Sequence, residues 1–334
     1  MAEPLLHTKD LCIGYRKGKK TNPVMGNINI SLYPGELVCI IGANGIGKST
    51  LLRTLAATQV PLSGSVLING TPISKFSASQ LSRLIGLVYT DRTQAGGLTV
   101  AELVALGRQP HTGFLGLLNP TDKEIVNQSV RNTGISHKAQ SFIAELSDGE
   151  RQKAMIAKAL AQETPVIMLD EPTAFLDVAS KIETMNLLHS LAHNSNKAII
   201  LSSHDISQAL LLADKLWVIT SGGNICQGFT EDIILSGVLD NIFDNENIKF
   251  NLLKGNFYTT VKYNKQAVIK GESDYLVYWC ANALQRNGVE IVPDNDNCSN
   301  VINIESANKI TAVFEGKTYS GITSIGELIR NIIC

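Results

Sequence analysis

The stretch Gly42-Ala43-Asn44-Gly45-Ile46-Gly47-Lys48-Ser49-Thr50 constrains this chain more than any other. Its Gly-x-x-x-x-Gly-Lys-Ser spacing is that of a phosphate-binding loop. The run before it, Leu37 to Ile41, is short, apolar and β-prone, as a buried parallel strand is. The run after it, Ser49 to Ala57, is rich in Leu and Ala and predicts a helix. Strand, glycine turn and helix start are the context such a loop needs. The glycines let backbone N–H groups curl round a phosphate chain, and the helix N-terminus adds partial positive charge. Gly42, Asn44, Gly45, Gly47 and Thr50 are therefore candidate nucleotide contacts. Lys48 is placed to reach the β and γ phosphates, and the Ser49 hydroxyl to ligate Mg²⁺.

A triphosphate site needs a second strand carrying carboxylates, and Val166-Ile167-Met168-Leu169-Asp170-Glu171-Pro172 supplies one. Four apolar residues bury the strand and deliver Asp170 and Glu171 to its carboxyl end. Asp170 is the candidate Mg²⁺ holder, through water, and Glu171 the candidate group that polarises the attacking water. A third piece, Leu146-Ser147-Asp148-Gly149-Glu150-Arg151-Gln152, opens a helical run over Lys153 to Ala161. Ser147 with Glu150 three residues on reads as an N-terminal capping box, whose free N–H groups suit an anion.

The remaining composition narrows the class. The chain has 334 residues, 44 % apolar and 18 % charged, with a formal net charge of −1. No basic excess points to a nucleic-acid groove. No apolar run reaches the ~18 residues of a membrane span, and Met1 to Asp10 lacks the pattern of a signal peptide. The six cysteines are scattered without a C-x-x-C pair, which reads as reduced thiols rather than disulfides or a metal site.

Along the chain, Leu5 to Cys12 and Val24 to Leu32 predict strands flanking a polar loop over 14–20, and Ser65 to Ile68 a strand ended by an Asn69-Gly70 hairpin turn. From Asp91 to about Pro165 the texture is helical, with Thr99 and Thr121 as expected caps. Strands return at Val166 to Leu169, Ala198 to Leu201, Leu216 to Thr220 and Asn224 to Gly228. Asp240 to Asn251, rich in Asn and Asp, reads as a linker. The remainder predicts a small α+β module with helices over Tyr275 to Arg286 and Ser324 to Ile333. Tyr275, Tyr278 and Trp279 are expected in its core.

Taken in order, Tyr15, Gly42 to Thr50, Leu146 to Gln152, Val166 to Glu171, Leu176-Asp177 and His204 resemble the ATP-binding subunit of an ABC transporter. The resemblance covers roughly residues 3 to 236. It implies an α/β fold of the P-loop NTPase type, with a mixed β-sheet core, an antiparallel β subdomain and a helical insert. Domain bounds follow: an ATPase domain over 1–238 with its insert at about 91–165, a linker over 239–250 and the α+β accessory domain over 251–334. The family's subunits pair head to tail, so each signature motif completes the other chain's ATP site. By that resemblance Tyr15 stacks on adenine, Ser147 and Gly149 contact the γ-phosphate in trans, Asp177 links the two sites, and His204 joins Glu171 and Lys48 as a catalytic group.

Leu98-Thr99-Val100-Ala101-Glu102-Leu103-Val104 and Leu106-Gly107-Arg108-Gln109-Pro110-His111 resemble the subfamily importing iron–siderophore, haem and cobalamin. The resemblance implies an ATP hydrolase using ATP and Mg²⁺. It implies a homodimer working with transmembrane permease subunits, indirectly with an external binding protein, and peripherally at the cytoplasmic face of the cell membrane. The competing reading is a soluble ABC-type ATPase acting on nucleic acid or ribosomes; those relatives use long coiled coils or fused ATPase units, which this chain lacks. The sequence departs from the family at Asp148, where the signature usually has glycine, at Glu150, and at Thr90 and Asp91, which stand where the family has a metal-sensing glutamine. Thr90 and Asp91 are thus additional candidate metal ligands.

Overall fold

The computed structural model describes residues 3–18, 20–89, 97–113, 116–260, 263–294 and 298–333. The chain divides into two compact units, Met1–Phe257 and Tyr258–Cys334. In the first, β1 (Leu6–Lys17) and β2 (Lys20–Ile28) form an antiparallel hairpin. Of the polar loop expected over 14–20, residues 14–17 and 20 are paired strand instead. Gly18, at φ 62°, closes a tight turn, so pairing continues to Lys17 and Lys20 and Tyr15 sits on a strand opposite Asn22. After β3 (Ser31–Leu32) comes β4 (Leu37–Gly42), then α1 (Lys48–Leu55), β5 (Ser63–Ile68) and β6 (Thr71–Pro72). Asn69 and Gly70, both at positive φ, make the expected turn between the last two. These strands, without β4, form a five-stranded antiparallel sheet.

A short α2 (Ala78–Leu81) leads to β7 (Ile85–Val88). The helical insert follows as α3 (Val100–Ala105), α4 (Pro120–Asn132) and α5 (Asp148–Ala161). Thr99 caps α3 as expected. Thr121 does not cap α4; Asn119 does, with Asp122 closing the capping box and Pro120 in the first turn, where its missing N–H costs nothing. The insert has its own core of Val100, Leu103, Val104, Val126, Ala154 and Ala157, among others.

The chain then returns to the central sheet through β8 (Val166–Leu169), α6 (Val178–Asn194), β9 (Ala198–Ser202), α7 (Ile206–Leu212), β10 (Lys215–Ile219), β11 (Ile225–Phe229) and α8 (Thr230–Leu235). The sheet order is β11-β10-β4-β9-β8-β7, parallel except for the β11 edge. Its strands are apolar on both faces because both are covered. Val38, Ile40, Met168 and Ile200 face one core, while Cys39, Ile41, Ile167 and Leu201 face the other. Each such side chain contributes about 1.5–3 kcal/mol.

The stretch expected to be a linker is instead packed. Leu239, Ile242 and Phe250 join the second core, and Phe243 and Phe250 each meet Phe257 edge-on at 5.1 Å. The polar composition of 240–251 concealed apolar residues spaced to reach one surface. β12 (Ile248–Asn251) and β13 (Asn256–Thr259) pair in a two-stranded sheet.

The second unit is a five-stranded sheet carrying two helices. The strands are β14 (Lys265–Gly271), β15 (Val289–Ile291), β16 (Val301–Ser306), β17 (Lys309–Phe314) and β18 (Lys317–Ile322). Their order is β15-β14-β16-β17-β18. The helices are α9 (Asp274–Arg286) and α10 (Ile325–Ile333). Cys280 and Leu284 of α9 pack with Ile302, Phe314 and Leu328. Tyr275 and Trp279, expected in the core, are 67 % and 58 % exposed, and Tyr278 is half-buried. Periodicity placed the helix, but not which of its two apolar faces turns inward.

The Leu106 to His111 motif has a structural role inside the insert. Gly107 lies so close to α5 that a Cβ would come within 2.3 Å of the Lys158 carbonyl oxygen. Arg108 is buried, donating from Nε to Asp122 at 2.9 Å and from Nη1 to the Ala161 carbonyl and Glu163, both at 2.7 Å. Arg108→Ala removes the donor to one Asp122 oxygen, leaving that carboxylate only its Asn119 N–H bond, and urea unfolding is expected to show a clear loss of stability; a loss within experimental error of zero would remove this role.

Candidate active site

The phosphate-loop glycines are fixed by their surroundings. Gly47, capping α1 at φ 116°, has the Val24 side chain 2.6 Å from where a Cβ would stand. Any other residue there is both strained and blocked. Lys48 is 5 % exposed, and its ammonium donates to the carbonyls of Gly42 at 2.8 Å and Ala43 at 3.1 Å. Burial pulls its pKa below the ordinary lysine value, opposed by the Glu171 and Asp170 carboxylates.

Parallel register brings the other groups to the same edge. Leu169 stands opposite Leu201, and Ile40 opposite Ser202, so β8 and β9 end at the same edge while β4 runs on to Gly42 and into the phosphate loop. Oδ1 of Asp170 accepts from Ser49 Oγ at 2.9 Å and from Ser202 Oγ at 2.7 Å. The Glu171 N–H in turn donates to Ser202 Oγ at 2.9 Å. Glu171 adopts φ 50°, a strained value for a residue with a Cβ. Its Oε2 lies 3.5 Å from His204 Nδ1. Tyr15, half-exposed on its strand, places its hydroxyl 2.9 Å from Thr50 Oγ1.

A cleft of about 590 Å³ gathers Tyr15, Asn44, Gly45, Lys48, Glu171 and His204, with Gly47, Ser49 and Thr50. Ser147, Gly149 and Asp177 do not line it. Ser147 caps α5 as expected, in reciprocal bonds with Glu150. The Ser147 backbone N–H holds the Glu150 carboxyl below the usual range. Asp177 caps α6, accepting from the Ser180 N–H at 2.7 Å. That same bond holds the Asp177 carboxyl low. Gly149 faces Ser180, whose Oγ and Cβ would lie 2.9 and 3.2 Å from an added Cβ, so the two segments pack too closely here for a larger residue. The Asp148 carboxylate pairs with Arg151 at 3.1 Å. Thr90 and Asp91 lie outside the described residues.

Residues 25–174 match the family described as ABC transporter, and residues 264–332 the Iron ABC transporter C-terminal domain. The chain is 40 % identical over 253 residues to an uncharacterized ABC transporter ATP-binding protein of Methanocaldococcus jannaschii, covering 76 % of this chain and 86 % of that one. It is 37 % identical over 238 residues to the ferric enterobactin transport ATP-binding protein FepC of Escherichia coli, covering 71 % and 86 %. This chain belongs to the ATP-binding subunits of ABC transporters.

A solved relative, cbiO1 of Clostridium perfringens, part of the ABC transporter complex cbiONQ, is 28 % identical. It superimposes with a TM-score of 0.61 over 71 % of this ABC subunit and 96 % of its own chain. The protein is an ATP hydrolase working in transport, and the nucleic-acid alternative falls away. Among its described residues no helix is long and apolar enough to cross a membrane.

Two groups of this ABC subunit's cleft escaped sequence reasoning. Phe175, 81 % exposed at φ 65°, lines the cleft beside Ala174. Ser202, fully buried below the cleft, donates to the Asp170 carboxylate and accepts the Glu171 backbone N–H. Its only signal was a Ser202-Ser203 pair ending an apolar strand. Ser202→Ala removes a bond to each acidic residue. The expected cost is about 2 kcal/mol of stability, with a kcat for ATP at least tenfold lower and KM little changed. Unaltered kcat would show that the hydroxyl is not needed to aim Asp170 and Glu171.

Proposed function

We propose that this chain energises uptake of an iron(III) chelate through a separate permease, as one half of a homodimeric ATPase. The observation that carries the substrate class is the second unit. It matches a domain described for iron ABC transporters, on a chain whose ATPase unit resembles a ferric enterobactin subunit. Haem or cobalamin is the neighbouring class. Among its described residues the second unit assembles no cluster of metal-ligating side chains, and its proposed role is regulation or support of the dimer.

In the proposed mechanism Lys48 exchanges its two loop carbonyls for β- and γ-phosphate oxygens. The loop amides and the α1 N-terminus supply the rest of the anion cradle. Tyr15, held by Thr50, offers its ring to adenine. Ser49 and Asp170 present a hydroxyl and a carboxylate oxygen 2.9 Å apart, a hard-oxygen donor set that suits Mg²⁺. When bound, that ion neutralises charge on the phosphate oxygens. Glu171, locked by Ser202, accepts the proton of the attacking water, and His204 sits against Glu171 to hold the γ-phosphate. Ser147 and Gly149 enter from the second copy, since in their own chain they stand outside the cleft. Closure of the pair around ATP moves the helical inserts and switches the permease; hydrolysis resets it.

The test is uptake in cells lacking the chain. Wild type restores uptake of labelled ferric siderophore, whereas Glu171→Gln does not; the purified variant hydrolyses ATP at least a hundredfold more slowly and accumulates as an ATP-dependent dimer. Restored ATPase-dependent uptake of cobalamin, with no effect on any ferric chelate, would overturn the substrate class.

A further inference from the structure

Outside the cleft, one cluster of metal-ligating groups is assembled among the described residues. His189 and His193 are four residues apart on α6, so their rings project from one helical face. Their ring centroids are 4.4 Å apart. Asp214, in the turn between α7 and β10, faces both. Its Oδ1 lies 3.1 Å from His193 Nε2 and 4.0 Å from His189 Nε2. One ligand atom from each of the three residues falls within 4.8 Å of the others. None of the three lines the nucleotide cleft.

We propose that His189, His193 and Asp214 form a binding site for a divalent first-row transition ion. Two imidazole nitrogens and one carboxylate oxygen are the donor set of Zn²⁺ sites that keep a position for water. Donors about 2.1 Å from a tetrahedral ion stand about 3.4 Å from one another, and the observed 3.1 and 4.0 Å bracket that spacing. Imidazole donors select Zn²⁺, Ni²⁺, Co²⁺ or Cu²⁺ over Mg²⁺ and Ca²⁺. The carboxylate is pre-oriented: Asp214 Oδ2 accepts the Leu37 N–H at 2.7 Å. Such an outer bond fixes a ligand before the ion arrives.

Position gives the ion a consequence. Asp214 anchors the start of β4 through Leu37 and directly precedes β10. An ion bridging it to His189 and His193 clamps the C-terminal turns of α6 onto the central sheet. Asp177 caps the other end of that helix, about 25 Å away at ~1.5 Å per residue. The clamp would therefore restrain the helix whose first turn packs against Gly149.

Zn²⁺ titrated into the full, tag-free chain tests this by calorimetry and thermal unfolding, with Mg²⁺ as control. Wild type is expected to bind one Zn²⁺ at this site and to unfold at a higher temperature with Zn²⁺ but not with Mg²⁺. His189→Ala and His193→Ala are each expected to bind at least tenfold more weakly and to lose the thermal shift, with cooperative metal-free unfolding and ATP hydrolysis retained. Asp214→Asn alone would be ambiguous because that residue also holds Leu37, so the histidine variants decide. Absence of saturable binding by wild type, or wild-type affinity in both histidine variants, overturns the site.

Discussion

A single carboxylate oxygen organises the nucleotide end of this molecule. Oδ1 of Asp170 accepts two hydroxyls, Ser49 from the start of α1 and Ser202 from the end of β9. Those bonds form only because β4, β8 and β9 run parallel in register and deliver their carboxyl ends to one edge of the sheet. The register is set by burial: a one-residue slip would exchange the faces on which Val38 and Ile40, or Ile167 and Leu169, are packed. The chemistry at the edge thus rests on two apolar cores that never touch substrate. Ser202 extends the same logic to Glu171, where a backbone N–H bond helps hold a strained left-handed conformation.

Much of this was legible in the sequence because it is written in local signals. The glycine spacing, the four-residue apolar strand ending in Asp170-Glu171 and the Ser147 capping box each depend on neighbours a few positions away. They appear in the structure with nearly the expected bounds. What was missed depends on contacts distant in sequence. Ser202 acquires its role from a partner 32 residues earlier. Arg108 is explained by an ion pair across the insert rather than by its helix. Leu239, Ile242 and Phe250 are buried despite an Asn- and Asp-rich setting, because a few apolar residues suffice to dock a polar segment. Tyr275 and Trp279 show the converse, aromatic residues whose helix turned its other face inward.

The division of labour across α6 links the local geometry to the proposed cycle. Its N-terminus carries the Asp177 cap and packs at Ser180 against Gly149 of the signature helix; its C-terminus meets the central sheet at Asp214. The signature residues are capped, packed and oriented, but outside the cleft of their own chain. Ser147 caps its helix N-terminus outside that cleft, and its proposed role at the twin's triphosphate starts from this placement.

The most direct measurement is the structure of the ATP-loaded Glu171→Gln protein. Each triphosphate is expected between Lys48 of one copy and Ser147 of the other. A triphosphate enclosed by one polypeptide, with Ser147 facing elsewhere, would contradict it.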